Sequence, residues 1–229
     1  MSVLDELLNT IFDNPQHPLY PEFARWVRGS RRFKAFATQY RAKIRSKLKN
    51  VRSDESLIDL RTELETAALL LLDERFTLEY ENYAASRQRG PDFTVTYRTN
   101  TLFNVEVRRL RGTDTAEGDA TAKLLAVLCD KVGQMPAGML NILWLKVEAD
   151  LSAADLNRAA VTLRQLAESK TEDFFTRRGF ENAADFLKQY RQLSAVVLHG
   201  VSGNSVWLNS LARHKTPPDI AAALQRLSF

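Results

Sequence analysis

The sequence predicts an α/β protein whose mixed central sheet carries helices on both faces. Two observations carry this expectation. Apolar residues recur at spacings of three and four through the first third of the chain, then alternate with polar ones between residues 75 and 108. A second helical pattern separates that alternating region from the apolar run Met139 to Val147, and a helical crossover is how parallel strands are joined.

The elements follow in order. Val3 to Phe12 and Tyr20 to Val27 read as short helices broken around Pro15, Pro18 and Pro21. Ser30 can cap one longer helix to about Asn50, with Phe33, Phe36, Tyr40, Ile44 and Leu48 on one stripe. Ser53 can cap the next, with Leu57, Leu60, Leu64, Ala67, Ala68 and Leu71 facing inward. Arg75 to Glu81 is a predicted strand. Phe93, Val95 and Tyr97 then alternate with Thr94, Thr96 and Arg98, as in a half-buried strand, and Thr99-Asn100 can turn the chain. In the strand that follows, Phe103, Val105 and Val107 face one way and Asn104, Glu106 and Arg108 the other.

Arg111 to Asp119 reads as a polar loop, and a helix follows from about Ala120 to Gln134. Met139 to Val147 has the continuous apolar character of a strand buried on both faces. Ser152 can cap a helix to about Ser169, and shorter helices cover about 172–177 and 181–192. Ala195 to Leu198 and Val206 to Asn209 are two further strands, and Pro217-Pro218 opens a last helix. The expected organisation is a basic helical segment, 1–52, packed on a larger domain, 53–229.

Net charge is +4, but its distribution is uneven. Eleven basic residues and no acid lie between Phe23 and Ser53, which leaves 21 basic against 28 acidic residues elsewhere. A concentrated basic segment points to a polyanionic partner, with Arg41, Arg45, Lys49 and Arg52 as the expected contacts. The single cysteine, Cys129, excludes an intramolecular disulfide. No apolar run is long enough to span a bilayer and no signal peptide is evident, so a cytoplasmic protein with no membrane partner is expected. A homodimer stays open.

Three acids carry the chemistry. Glu63 lies in the helix that Ser53 caps, Asp92 follows Pro91 at the mouth of a strand, and Glu106 lies within the next strand. Two carboxylates from adjacent strands can hold a hard divalent cation through oxygen, with the Val107 carbonyl as a third ligand. Such a cation suits phosphodiester cleavage. Arg108 shares the Glu106 face.

Glu63-Leu64-Glu65-Thr66-Ala67-Ala68, Pro91-Asp92 and Glu106-Val107-Arg108 together resemble the PD-(D/E)xK nuclease superfamily. The resemblance covers roughly Ser53 to Val147. It implies a restriction-endonuclease-like α-β-β-β-α-β core and a Mg²⁺- or Mn²⁺-dependent endonuclease site, with Asp92 and Glu106 as metal ligands. Glu63 matches the acid that such families carry on the first core helix, with Glu65 as the alternative. Arg108 stands where the family has lysine. Arginine keeps the charge but does not deprotonate, so it cannot act as an acid or base. The family also accepts a lysine from elsewhere, and the helix after the second acid offers Lys131 and Gln134 behind the site.

With the resemblance, two function classes follow: a metal-dependent endonuclease-like enzyme acting on nucleic acid, more specifically DNA, and a non-catalytic nucleic-acid-binding or protein-assembly module on the same scaffold. His17, His199 and His214 lack metal-ligand spacing, and no phosphate-binding loop, dinucleotide fingerprint or serine-nucleophile elbow is present.

Overall fold

In the computed structural model, residues 3–82, 90–110, 117–147 and 151–229 are described. Most of the predicted polar loop after Leu110 lies outside them. The described residues form ten helices and one open six-stranded sheet, in the α/β class.

Four helices come first: α1 (Val3–Ile11), α2 (Tyr20–Gly29), α3 (Arg31–Gln39) and α4 (Arg41–Asn50). The single helix expected from Ser30 to Asn50 is therefore two. Ser30 does cap α3, accepting from the Phe33 N–H at 3.1 Å. The break falls at Tyr40, whose backbone leaves the helical region. Its ring packs on Phe36 and edge-on to Tyr80, which fixes the bend against the sheet.

Helix α5 (Asp54–Leu70) begins with a capping box in which Ser53 and Ser56 satisfy each other's backbone N–H groups. Its C-terminal end is closed from a distance. The Arg32 guanidinium donates to the carbonyls of Leu71 (3.0 Å), Asp73 (2.6 Å) and Phe76. A cation on the last carbonyls of a helix satisfies orphan acceptors and complements the dipole.

The sheet runs β1 (Phe76–Tyr80), β2 (Phe93–Tyr97), β3 (Thr101–Leu110), β4 (Leu140–Val147), β5 (Leu193–Gly200) and β6 (Gly203–Leu208), in spatial order as in sequence. Pairing is antiparallel for β1–β2–β3, parallel for β3–β4–β5 and antiparallel for β5–β6. The parallel pairs are connected through α6 (Glu117–Val132) and through α7 (Ala153–Glu168), α8 (Glu172–Thr176) and α9 (Ala183–Tyr190). Helix α10 (Pro218–Gln225) closes the chain.

Alternating side chains split the core in two. Phe103 and Val105 of β3 join Phe93, Val95, Ile142 and Trp144 beneath α1 to α5 and α10. Leu110, Leu143, Leu145, Val196 and Leu198 point the other way, under α6 to α9. The N-terminal helices share one apolar cluster with the sheet, and the Phe36 ring touches both Tyr80 and Phe93. Cys129 is buried in the second cluster, and burial pushes its thiol up to about 11.

Candidate active site

The β2–β3 ladder ends at the pair Phe93↔Val105, yet β3 continues five residues further, to Leu110. The next inward-facing donor on β3 is the Val107 N–H. Asp92, the residue before β2, takes it side-on: its Oδ2 accepts from Val107 N at 2.7 Å. The Asp92 carbonyl accepts from Glu81 N at 2.7 Å, which ties the same residue back to the end of β1. The Pro91-Asp92 step is thus a ladder terminator that aims a carboxylate across the sheet edge.

Glu63 approaches this carboxylate from α5, on one face of the sheet. Lys47 of α4 bonds Glu63 Oε1 at 2.5 Å and Glu81 Oε1 at 2.5 Å. Burial pulls against the Lys47 ammonium, but Glu63 and Glu81 outweigh it and hold its pKa above the usual value. The Tyr80 hydroxyl sits beside Glu63, buried and without a well-formed hydrogen bond. Burial and the Glu63 charge push its pKa well up. An open cleft of about 290 Å³ is lined here by Lys47, Asp59, Glu63, Asp92 and Val107.

Glu106 lies on the opposite face of the strand. Lys131 of α6 donates to its Oε1 at 2.7 Å and to Gln134 Oε1 at 3.3 Å. Both polar residues predicted behind the site are therefore in contact with one another, and Lys131 is in contact with the second acid. Arg108 is exposed and forms no ion pair among the described residues. The cation on Glu106 comes from α6.

Asp92 stands between the two halves. Burial raises its pKa well above the usual carboxylate range, and the charges of Glu63 and Glu106 add to the rise. The Val107 N–H and the more distant Lys47 offset only part of this. Glu63 is also raised, first by burial, with Lys47 opposing. Glu63 and Glu106, each paired with a lysine, thus approach a buried Asp92 from the two faces of the sheet, and perturbed carboxyls of this kind cluster at functional sites.

Glu65 points elsewhere. Its carboxylate takes Lys146 of β4 at 2.8 Å and lies 3.8 Å from His199 of β5. Burial would raise its pKa, but His199 and Lys146 bring it below the ordinary value. Of the two candidate acids on α5, Glu63 is the one grouped with Asp92. Of the expected nucleic-acid contacts, Arg45 and Lys49 both pair with Asp13 (2.5 and 3.4 Å). Arg41 and Arg52 are exposed. Sequence reading singled out neither Lys47, Tyr80 nor Glu81. Lys47 carried a weak signal, being one turn after Lys43 on a helix that also had to face the strand bearing Tyr80.

Among the described residues, no three Asp, Glu, His or Cys side chains converge closely enough to form a ready-made metal cage. The donor set nevertheless suits a hard divalent cation. Asp92 is a crowded carboxylate with one oxygen engaged by a single N–H, and Glu63 and Glu106 flank it. An added positive charge would offset the burial and the repulsion that together raise Asp92. No family model, curated protein or solved structure matches the chain.

Proposed function

We propose that this protein is a metal-dependent phosphodiesterase of endonuclease type acting on DNA, with a restriction-endonuclease-like core. The observation that carries the reading is the grouping of Glu63 and Glu106 around Asp92 at the open end of the β2–β3 ladder, with Asp92 pushed up by burial and by its two neighbours. The topology around it supports the same reading, since α5, β1, β2, β3, α6 and β4 occur in the expected order with β3 and β4 parallel.

Asp92 and Glu106 would hold Mg²⁺ or Mn²⁺, together with the Val107 carbonyl. When bound, such an ion supplies Lewis acidity and a water of lowered pKa. The chain's own groups do the rest. The Val107 N–H fixes the Asp92 carboxylate in place. Glu63 holds Lys47 at the rim of the cleft, where its ammonium faces an incoming phosphate. Lys131, held between Glu106 and Gln134, takes the position that the Glu-x-Arg sequence leaves without a lysine. Arg108 lies two residues from Glu106 on the same face and is free to contact the nucleic-acid backbone.

A second reading rests on a specific observation. Lys47 and Lys131 already neutralise Glu63 and Glu106, which favours a protein that binds without cleaving. Nicking of supercoiled plasmid with Mg²⁺ or Mn²⁺ separates the two. Cleavage by wild type, lost in both Asp92→Ala and Glu106→Ala, is the expected result. Absence of cleavage, or cleavage that survives both changes, supports the binding module instead.

A further inference from the structure

Part of the basic segment that stands out in the sequence is neutralised in the fold. In the acid-free segment, Lys43 faces Glu81, Arg45 and Lys49 share Asp13, Lys47 is shared by Glu63 and Glu81, and Arg32 caps α5. Acids from outside the segment thus pair with four of its eleven cations among the described residues.

A different place concentrates unbalanced charge. Between the C-terminal end of α9 and the segment after β6 lies a cleft of about 750 Å³. One wall carries Lys188 and Arg191, the other Arg213 and Lys215, and no acid lines it. All four are exposed, and none forms an ion pair among the described residues. The walls are joined by the Arg213 N–H donating to the Arg191 carbonyl at 2.8 Å. The Lys215 ammonium is steered by the Asn209 and Ser210 carbonyls. Leu187 and Leu211 form apolar ground between the charges.

We propose that this cleft binds the phosphodiester backbone of a nucleic-acid strand. Its volume exceeds what one phosphate needs. Cations on two facing walls follow a strand that lies between them, and apolar ground between the charges accommodates sugars or bases. A concave surface also disfavours a bilayer face as occupant. Leu187 and Leu211 pack in the apolar cluster beneath α6 to α9, on the side of the sheet where Lys131 meets Glu106. The choice of nucleic acid over other polyanions rests on the nuclease reading, whereas the binding itself requires no catalysis.

Fluorescence anisotropy in EDTA tests this without cleavage, using a labelled single strand of about 20 nucleotides and its duplex. Each phosphate contact contributes a salt slope of about −0.7 on a single strand. Arg191→Ala/Arg213→Ala should therefore flatten the slope by about 1.4 and weaken binding roughly 25-fold at about 0.1 M salt. Arg191→Lys/Arg213→Lys should restore most of it, and Arg45→Ala/Lys49→Ala should change it less than about threefold. Thermal melting of each variant checks that the fold is intact. Unchanged binding in the double alanine variant overturns the proposal, as does no binding to either oligonucleotide. Tighter binding to phosphatidylglycerol vesicles than to the oligonucleotides overturns it too. A protein that binds through the cleft yet never nicks DNA overturns the enzymatic reading alone.

Discussion

Replacing Asp92 by asparagine should stabilise the metal-free protein at neutral pH. The carboxyl is raised by burial and by Glu63 and Glu106, so folding opposes its ionisation. An acid raised in this way binds its proton more tightly in the native state than in the unfolded chain. Its stability contribution is then fully present below the unfolded pKa of about 4 and is lost as pH rises through the raised native value. Each unit of rise corresponds to about 1.4 kcal/mol. Asparagine keeps an oxygen for the Val107 N–H, although a neutral acceptor weakens that bond by about 1 kcal/mol. The expected net gain at pH 7.5 is about 1–2 kcal/mol, which for a chain of this size is a Tm rise of about 2–8 °C. Thermal melts of both proteins in EDTA from pH 4 to pH 8 read this directly. The two curves should lie together, or the wild type higher, at the acid end, and should separate in favour of Asp92→Asn as pH rises. A variant less stable than wild type at neutral pH would refute the claim that burial and its neighbours oppose ionisation of this carboxyl.

Three further expectations concern the surrounding groups. Lys47→Met removes the cation shared by Glu63 and Glu81 and should cost about 3 kcal/mol in urea unfolding, with Glu63→Gln in the same chain recovering at least half. Arg32→Ala leaves three carbonyls between the end of α5 and the start of β1 without their donor and should cost about 2 kcal/mol by the same measurement. If Lys131 serves in place of the lysine missing at Arg108, Lys131→Met should slow plasmid nicking by about 100-fold. Arg108→Ala should then slow it by only a few-fold, and the reverse order would assign the role to Arg108.

Much of this architecture was legible because local pattern and tertiary structure agree. Period-two alternation placed Val107 and Glu106 on opposite faces of β3, where they are found. Ser30, Ser53 and Ser152 each cap the helix that their position predicted. Lys131 and Gln134, one helical turn apart, do meet behind Glu106. What stayed hidden depends on contacts distant in sequence. A continuous apolar stripe gives no sign that the helix bends at Tyr40, because the bend is set by Tyr80. Charge counting along the chain cannot see that Asp13 and Glu81 pair with Lys43, Arg45, Lys47 and Lys49. The separation of Glu63 from Glu65 was likewise open, since two residues on a helix point about 200° apart and only the sheet beneath decides which meets Asp92.

The most direct test of the central claim is calorimetric titration of Mn²⁺ into the wild type and into Asp92→Ala and Glu106→Ala. Saturable binding by the wild type, lost or weakened by about tenfold or more in each variant, is the expected result for carboxylates gathered to hold a cation. Absence of binding, or equal binding by all three proteins, would contradict it.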